Sequence, residues 1–164
     1  MTSPSPPREE SFISSILAED ELGVAIRSHI YVESALDSFI EEFILDFSYI
    51  KKMQLDFSQR VNLAVAVGFP KEYAPALMHL GRIRNKFAHR LDTKIDKPSM
   101  KEFYKSFSPE QKNLRHLTFK NTIEKVSIGH KRTLLDLSPK EQFAIFSTAL
   151  RMQVLALMPP PKDQ

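Results

Sequence analysis

An arginine, an asparagine and a histidine lie close together near the middle of the chain: Arg84, Asn85 and His89. A neutral imidazole such as that of His89 could take a proton from an RNA 2′-hydroxyl. Arg84 could offset the charge that develops on the attacked phosphate, and Asn85 could orient that phosphate. The product would be a 2′,3′-cyclic phosphate, formed without a metal ion. Arg84 and His89, supported by Asn85, are therefore the candidate catalytic residues.

The spacing of this pair limits how it could act. Residues five positions apart on an ideal α-helix point about 140° away from each other. Arg84 and His89 therefore converge only if the helix ends or distorts near Ala88, or if they meet across a dimer.

A structural role is the alternative for the same residues, and the sequence favours it, because polar networks between bundle helices often only specify packing. Arg84 would pair with an acid such as Glu33 or Asp37. Asn85 would satisfy backbone groups, and His89 would interact with the C-terminal helix dipole.

The elements that carry these residues are predicted from apolar residues that recur every three or four positions, as in amphipathic helices. Helices are predicted over 11–18, 21–47 and 138–158. Another is predicted from Asp56 or Ser58 to Gly68, and a further one from Lys71 or Pro75 to Phe87 or Leu91. Ser-Pro-x-Gln and Ser-Pro-x-Glu sequences at Ser108 and Ser138 predict helix starts. β-Branched residues alternate within 118–137, which leaves a small hairpin open there.

These elements predict an all-α fold, an antiparallel helical bundle. We expect a single domain over residues 8–158. The Pro-rich flanks, residues 1–7 and 159–164, are expected to be disordered tails.

Composition excludes several classes of function. The chain has no cysteine, which excludes a disulfide framework, Cys-ligated zinc and thiol catalysis. The histidines are scattered, so we predict no metal site and no cofactor. The sequence lacks a run of about 18 apolar residues and its start lacks a signal-peptide core, so no membrane association is expected and the cytoplasm is the expected location.

Charge is divided unevenly along the chain. Residues 8–60 hold 11 acidic and 5 basic residues, whereas residues 71–132 hold 15 basic and 6 acidic residues. RNA or DNA would therefore be contacted through residues 71–132, with Arg82, Lys86 and Arg90 as the candidate nucleic-acid-binding residues. Aromatic residues among these cations suit base stacking: Phe103, Tyr104, Phe107 and Phe119. The alternative, solvated lysines over core aromatics, is favoured because the lysines are widely spread.

Three features of the sequence resemble the mannitol operon repressor family. They are a long acidic amphipathic helix, a helix that ends in Val67-Gly68-Phe69, and the sequence Leu-x-x-Ile-Arg-Asn-Lys-Phe-Ala-His over residues 80–89. Within that sequence, Arg84-x4-His89 with a polar residue after the arginine is similar to the motif of the HEPN superfamily of helical nucleotide-handling proteins. The resemblance covers residues 10–92 and the C-terminal helix.

The resemblance implies an all-helical homodimer with a role in bacterial transcription. In the wider superfamily, the Arg and His of two protomers meet at a symmetric cleft that can form a metal-independent ribonuclease site, although many members lack activity. Residues 63–77 look like a helix-turn-helix, but Pro70, Lys71, Glu72, Pro75 and Ala76 offer little chemistry for reading base edges. We therefore expect a transcriptional regulator that acts through a protein partner or an effector. The alternative is a HEPN-type ribonuclease or RNA-binding dimer.

Overall fold

The computed structural model describes residues 9–90, 92–113, 120 and 133–159, and all regular secondary structure in these ranges is helical. The helices are α1 (Glu9–Leu17), α2 (Glu21–Glu41), α3 (Phe47–Lys52), α4 (Phe57–Ala66), α5 (Ala74–His89), α6 (Lys97–Lys105) and α7 (Pro139–Ala156). Short 3-10 helices lie at Lys71–Tyr73 and Leu134–Asp136, and residues 109–113 are also helical. The predicted all-α helical bundle is confirmed.

Helix α2 lies at the centre of the bundle. It packs mainly against α7, and also against α4 and α5. One cluster of buried apolar side chains extends from α1 to α7, and phenylalanines from four helices contribute to it: Phe39, Phe87, Phe103 and Phe143. Burial of these faces is the main stabilising contribution to the fold.

Side-chain caps begin the helices where the sequence indicates them. Asp56 accepts a hydrogen bond from the Gln59 backbone N–H at 2.9 Å, and the Gln59 side chain accepts one from the Asp56 N–H at 2.9 Å. Ser138 and Glu141 form the same reciprocal box at the start of α7. Ser108 and Gln111 do so before residues 109–113. These contacts confirm the predicted helix starts.

Gly68 ends α4. Its φ of +113° lies in the region that side chains with a Cβ rarely adopt. The Gly68 N–H donates to Val65 O at 3.1 Å and the Phe69 N–H donates to Ala64 O at 2.9 Å, which is the Schellman pattern. The turn directs Phe69 into the core, where its ring meets that of Phe39.

The predicted single helix over 21–47 is correct over residues 21–41 and wrong over 42–47, because α2 ends at Glu41 and a separate helix begins at Phe47. Asp46 accepts a hydrogen bond from the Ser48 N–H at 3.0 Å and so caps α3. Phe47 still reaches the core. The apolar periodicity continued across a break that the local cap creates.

The region after α5 also differs from the prediction. Leu134–Asp136 is a 3-10 helix, not a strand, because Thr133 and Asp136 form a reciprocal cap. Residues 118, 119 and 121–132 of the proposed hairpin lie outside the described residues, and residue 120 is helical. Helix α5 ends at His89, and Leu91 is outside the described residues, as are the tails at 1–7 and 160–164.

Among the described residues, no helix is both long enough and apolar enough to cross a membrane.

Candidate functional site

One face of α5 gathers the polar residues at its C-terminal end. Arg82, Asn85, Lys86 and His89 follow the i, i+3, i+4, i+7 spacing that places side chains on one side of a helix. With the loop that follows and the start of α6, they line an open groove of about 640 Å³, which we call the α5–α6 groove. Its residues are Arg82, Asn85, Lys86, His89, Arg90, Asp92, Thr93, Lys94, Asp96 and Ser99.

The wall of the α5–α6 groove opposite α5 is held in place by hydrogen bonds. The Thr93 hydroxyl donates to the Lys86 carbonyl at 3.2 Å, which ties the loop to α5. The Ile95 N–H donates to Oε2 of Glu21 at 2.7 Å, which ties it to the start of α2. Asp96 accepts from the Ser99 N–H at 2.7 Å and caps α6. A loop fixed at three points can present its side chains in a constant arrangement.

The charge of the groove is predominantly positive. Four cationic side chains line it, and the acids are Asp92 and Asp96. The capping hydrogen bond from the Ser99 backbone lowers the pKa of Asp96. This carboxylate is therefore ionised, and one of its oxygens already accepts the Ser99 N–H. The cations, Arg82, Lys86, Arg90 and Lys94, are exposed. The groove therefore favours a ligand with several negative charges.

Arg82 is oriented by a neighbouring histidine. Its Nη2 lies 3.1 Å from Nδ1 of His79, and the His79 ring stacks on the buried Phe103 ring with centroids 5.4 Å apart. Burial lowers the pKa of His79, and the charge of Arg82 adds to that effect, so the imidazole is neutral and can accept the hydrogen bond.

The other side of α5 packs against α4 and α2. A Cβ at Gly81 would lie 2.8 Å from Cδ1 of Phe57, so the α5 backbone touches that ring directly. The Phe57 ring in turn lies 4.3 Å from the ring of His29, measured between centroids. Arg84, one turn beyond Gly81, contributes positive charge at both His29 and Glu33.

Two acidic side chains of α2, Glu33 and Asp37, form ion pairs with Arg60 of α4. Nε of Arg60 lies 3.1 Å from Oε1 of Glu33, and Nη1 of Arg60 donates to Oδ1 of Asp37. Arg84 is not within ion-pair distance of Glu33 or Asp37, although its charge acts on Glu33. Arg60 takes this position because Asp56 starts α4 in a register that brings its first turn against the middle of α2.

His29 is neutral although a carboxylate is near. Its Nδ1 is 3.9 Å from Oε2 of Glu33, the limit of an ion pair, while the other oxygen of Glu33 contacts Arg60. Burial lowers the pKa of His29 to about 4, with a further contribution from Arg84. Burial also raises the pKa of Glu33, partly offset by Arg60. These groups form a packing network, which we do not assign a catalytic role.

The candidate catalytic pair does not converge within one chain. His89 lines the α5–α6 groove, whereas Arg84 is not among its lining residues. Helix α5 continues without a break to His89, so the angular separation predicted from the spacing holds. Asn85 connects the two sides, because it lines the groove and accepts a hydrogen bond from Nη1 of Arg84 at 3.1 Å. Asn85 thus contacts a side chain and not the backbone groups expected for a structural role.

The three predicted nucleic-acid-binding residues, Arg82, Lys86 and Arg90, all line the groove. Of the four aromatic residues predicted for base stacking, Phe103, Tyr104 and Phe107 do not line the groove. Phe103 and Phe107 are buried in the core, and Phe119 is outside the described residues. Tyr104 is partly exposed, with Nζ of Lys112 at 4.8 Å from its ring centroid. The interpretation of these aromatics as core residues is confirmed for Phe103 and Phe107.

Several groove residues were not found from the sequence. Lys94, Asp92 and Thr93 carry no motif, and only the fold of the loop brings them to α5. Asp96-Lys97-Pro98-Ser99 did carry a signal, since an acid three residues before Ser99 with an intervening proline is typical of a helix start. That signal predicts α6 and hence the second wall.

No family model, no curated protein and no solved structure matches this chain. Within the part of the chain that the structure describes, no group of three or more His, Asp or Glu side chains is placed to hold a metal ion.

Proposed function

We propose that this protein is a non-catalytic regulator of transcription, similar to the mannitol operon repressor family, that binds an anionic protein partner or effector in the α5–α6 groove. The observation that supports this most is the distribution of side chains on α5. Arg82, Lys86 and His89 face the groove, and Arg84 faces α2. A chain with this arrangement offers an anion several contacts but offers a scissile phosphate only half of the catalytic pair.

The segment between α4 and α5 supports a partner-dependent mode of regulation. In a helix-turn-helix the second helix reads bases with polar residues at its N-terminus. Here that helix begins with a 3-10 turn at Lys71–Tyr73 and has Pro75 in its first turn. Phe69, just before it, is buried and fixes the turn to the core. The exposed start of α5 carries little chemistry for recognising base edges.

Binding of a labelled oligoglutamate peptide, followed by fluorescence anisotropy at low salt, tests this proposal. The variant Arg82→Ala/Lys86→Ala/Arg90→Ala should weaken binding at least about tenfold. The matched control, Lys71→Ala/Lys101→Ala/Lys105→Ala, removes the same charge from exposed positions outside the groove and should bind like wild type. Equal losses in both variants would contradict a specific site.

A metal-independent ribonuclease, or an RNA-binding dimer, is the second candidate. Two observations favour it. The His89 side chain is exposed, and Asn85, which lines the groove, accepts a hydrogen bond from Arg84. A second copy could then place its Arg84 beside His89 of the first. Mixing the inactive variants Arg84→Ala and His89→Ala tests the shared site, because one of the two sites in each mixed dimer would keep both residues. Recovery of RNA cleavage in the mixture supports this candidate.

A further inference from the structure

Exposed apolar side chains are concentrated in the segment that runs from the end of α2 to the residue after α3. Among the described residues, four of the seven large apolar side chains that are most exposed lie within 11 residues of the sequence. They are Phe43, Leu45, Tyr49 and Met53, with 49%, 108%, 63% and 63% of their surface exposed, and we call them the α3 tip. Monomeric proteins rarely expose a large contiguous apolar patch without a function.

Leu45 has an unusual position in the α3 tip. It directly precedes Asp46, the N-cap of α3. An apolar residue there often packs on the fourth residue of the helix, here Ile50, as a hydrophobic staple. Ile50 instead packs against the core, and Leu45 is fully exposed. Tyr49 and Met53, one turn apart, lie on the same side of α3.

The rim of the α3 tip carries both signs of charge at opposite ends. Glu41, Glu42 and Asp46 precede α3, and Lys51 and Lys52 end it. Nζ of Lys52 lies 4.4 Å from the Tyr49 ring centroid, so this cation borders the apolar side chains. A polyanion or an anionic lipid surface would be repelled by the acidic end. A second copy placed with its α3 antiparallel sets each acidic end against a basic end.

We propose that the α3 tip is the surface through which two copies of this chain associate about a two-fold axis. Tyr, Phe and Met are the residue types enriched at the centre of such interfaces, and the charged rim fixes the antiparallel arrangement.

This interface leaves the α5–α6 groove open. The groove lies at the N-terminal end of α2, where Ile95 bonds to Glu21, and the α3 tip lies at the other end. A 21-residue helix separates the ends by about 30 Å. The dimer therefore carries two separate grooves.

Sedimentation equilibrium of the full chain at micromolar concentration tests the interface. Wild type should have about twice the 18.9 kDa chain mass. Leu45→Glu and Met53→Glu should each weaken association at least about tenfold. Ile30→Glu is the matched control: Ile30 is 53% exposed on α2 but outside the α3 tip, so this variant should remain dimeric. Thermal unfolding followed by circular dichroism should show that all three variants fold.

A monomeric wild type would overturn the proposal, and so would a dimer that persists in Leu45→Glu. A dimer that dissociates in Ile30→Glu and persists in Met53→Glu would place the interface on α2. Wild type that stays monomeric and sediments with phosphatidylserine vesicles, with that binding lost in Leu45→Glu, would overturn the dimer and identify the α3 tip as a lipid-binding surface.

Discussion

His29 gives the fold a pH dependence at the level of a single residue. The pKa of His29 is about 4 in the fold and near 6.5 in an unfolded chain. Below pH 6.5 the unfolded state binds the proton first, so stability is full above that pH and falls as the pH decreases towards 4. The raised pKa of Glu33 acts in the opposite direction, at pH values above its ordinary 4.5, because the folded state binds that proton first.

We therefore expect the free energy of unfolding to fall on the order of 2–3 kcal/mol through His29 between pH 6.5 and pH 4. Urea denaturation at several pH values measures this. In His29→Leu the decrease should be smaller by that amount. If the stability of His29→Leu depends on pH as that of wild type does, burial does not lower the pKa of His29 in the fold.

Arg60 balances the charge of two carboxylates on α2, those of Glu33 and Asp37. It contacts Glu33 and Asp37, and all three side chains are less than one-third exposed. Arg60→Met should cost about 1–3 kcal/mol, because it leaves two carboxylates without their cation. Arg27→Met is the control: it removes an exposed partner of Glu19 and should cost less than about 0.5 kcal/mol. Chemical denaturation gives both values, and equal costs would contradict a special role for Arg60.

At the scale of elements, the sequence predicted those helices that begin with a local cap and continue with a regular apolar face. The Asp56 and Ser138 boxes act within four residues, so they can be recognised without tertiary context. The break between α2 and α3 was missed because Phe43, Ile44 and Phe47 continue the apolar period. The local cap at Asp46 begins a second helix there, and Phe47 reaches the core from that helix.

The candidate site was predictable to a similar extent. The grouping of Arg82, Lys86 and His89 follows from helical spacing, and so does the divergence of Arg84. The second wall depends on how residues 92–96 fold back towards α2, through contacts such as the bond from Ile95 to Glu21, 74 positions apart in the sequence. Such a contact has no local sequence signal.

Gly68 is the element boundary that depends most on backbone conformation. With φ at +113°, Gly68→Ala should destabilise the protein by about 1–2 kcal/mol, although open space surrounds the position of the added Cβ. Asn62→Ala, an exposed change in the middle of α4, should be neutral or slightly stabilising. Thermal denaturation compares the two. A neutral Gly68→Ala would mean that the turn adopts another conformation without cost.

At the scale of the whole molecule, the groove's cations lie at one end of α2 and the α3 tip at the other. Binding of a polyanion should therefore depend on the cations of the groove and fall steeply with salt. Fluorescence anisotropy of a labelled single-stranded RNA, measured between about 50 mM and about 200 mM NaCl, gives the dependence of affinity on salt concentration. Arg82→Ala/Lys86→Ala/Arg90→Ala should flatten that slope, whereas salt-insensitive binding would contradict an electrostatic site.

The central claim is that the groove binds anions and does not cleave RNA. Its most direct test is incubation of single-stranded RNA with the wild-type protein at neutral pH in EDTA, followed by gel analysis of RNA length. Because Arg84 and His89 lie on different sides of α5, the RNA should remain intact with wild type and with His89→Ala alike. EDTA-resistant cleavage by wild type that is absent from His89→Ala purified identically would contradict the claim and establish the ribonuclease.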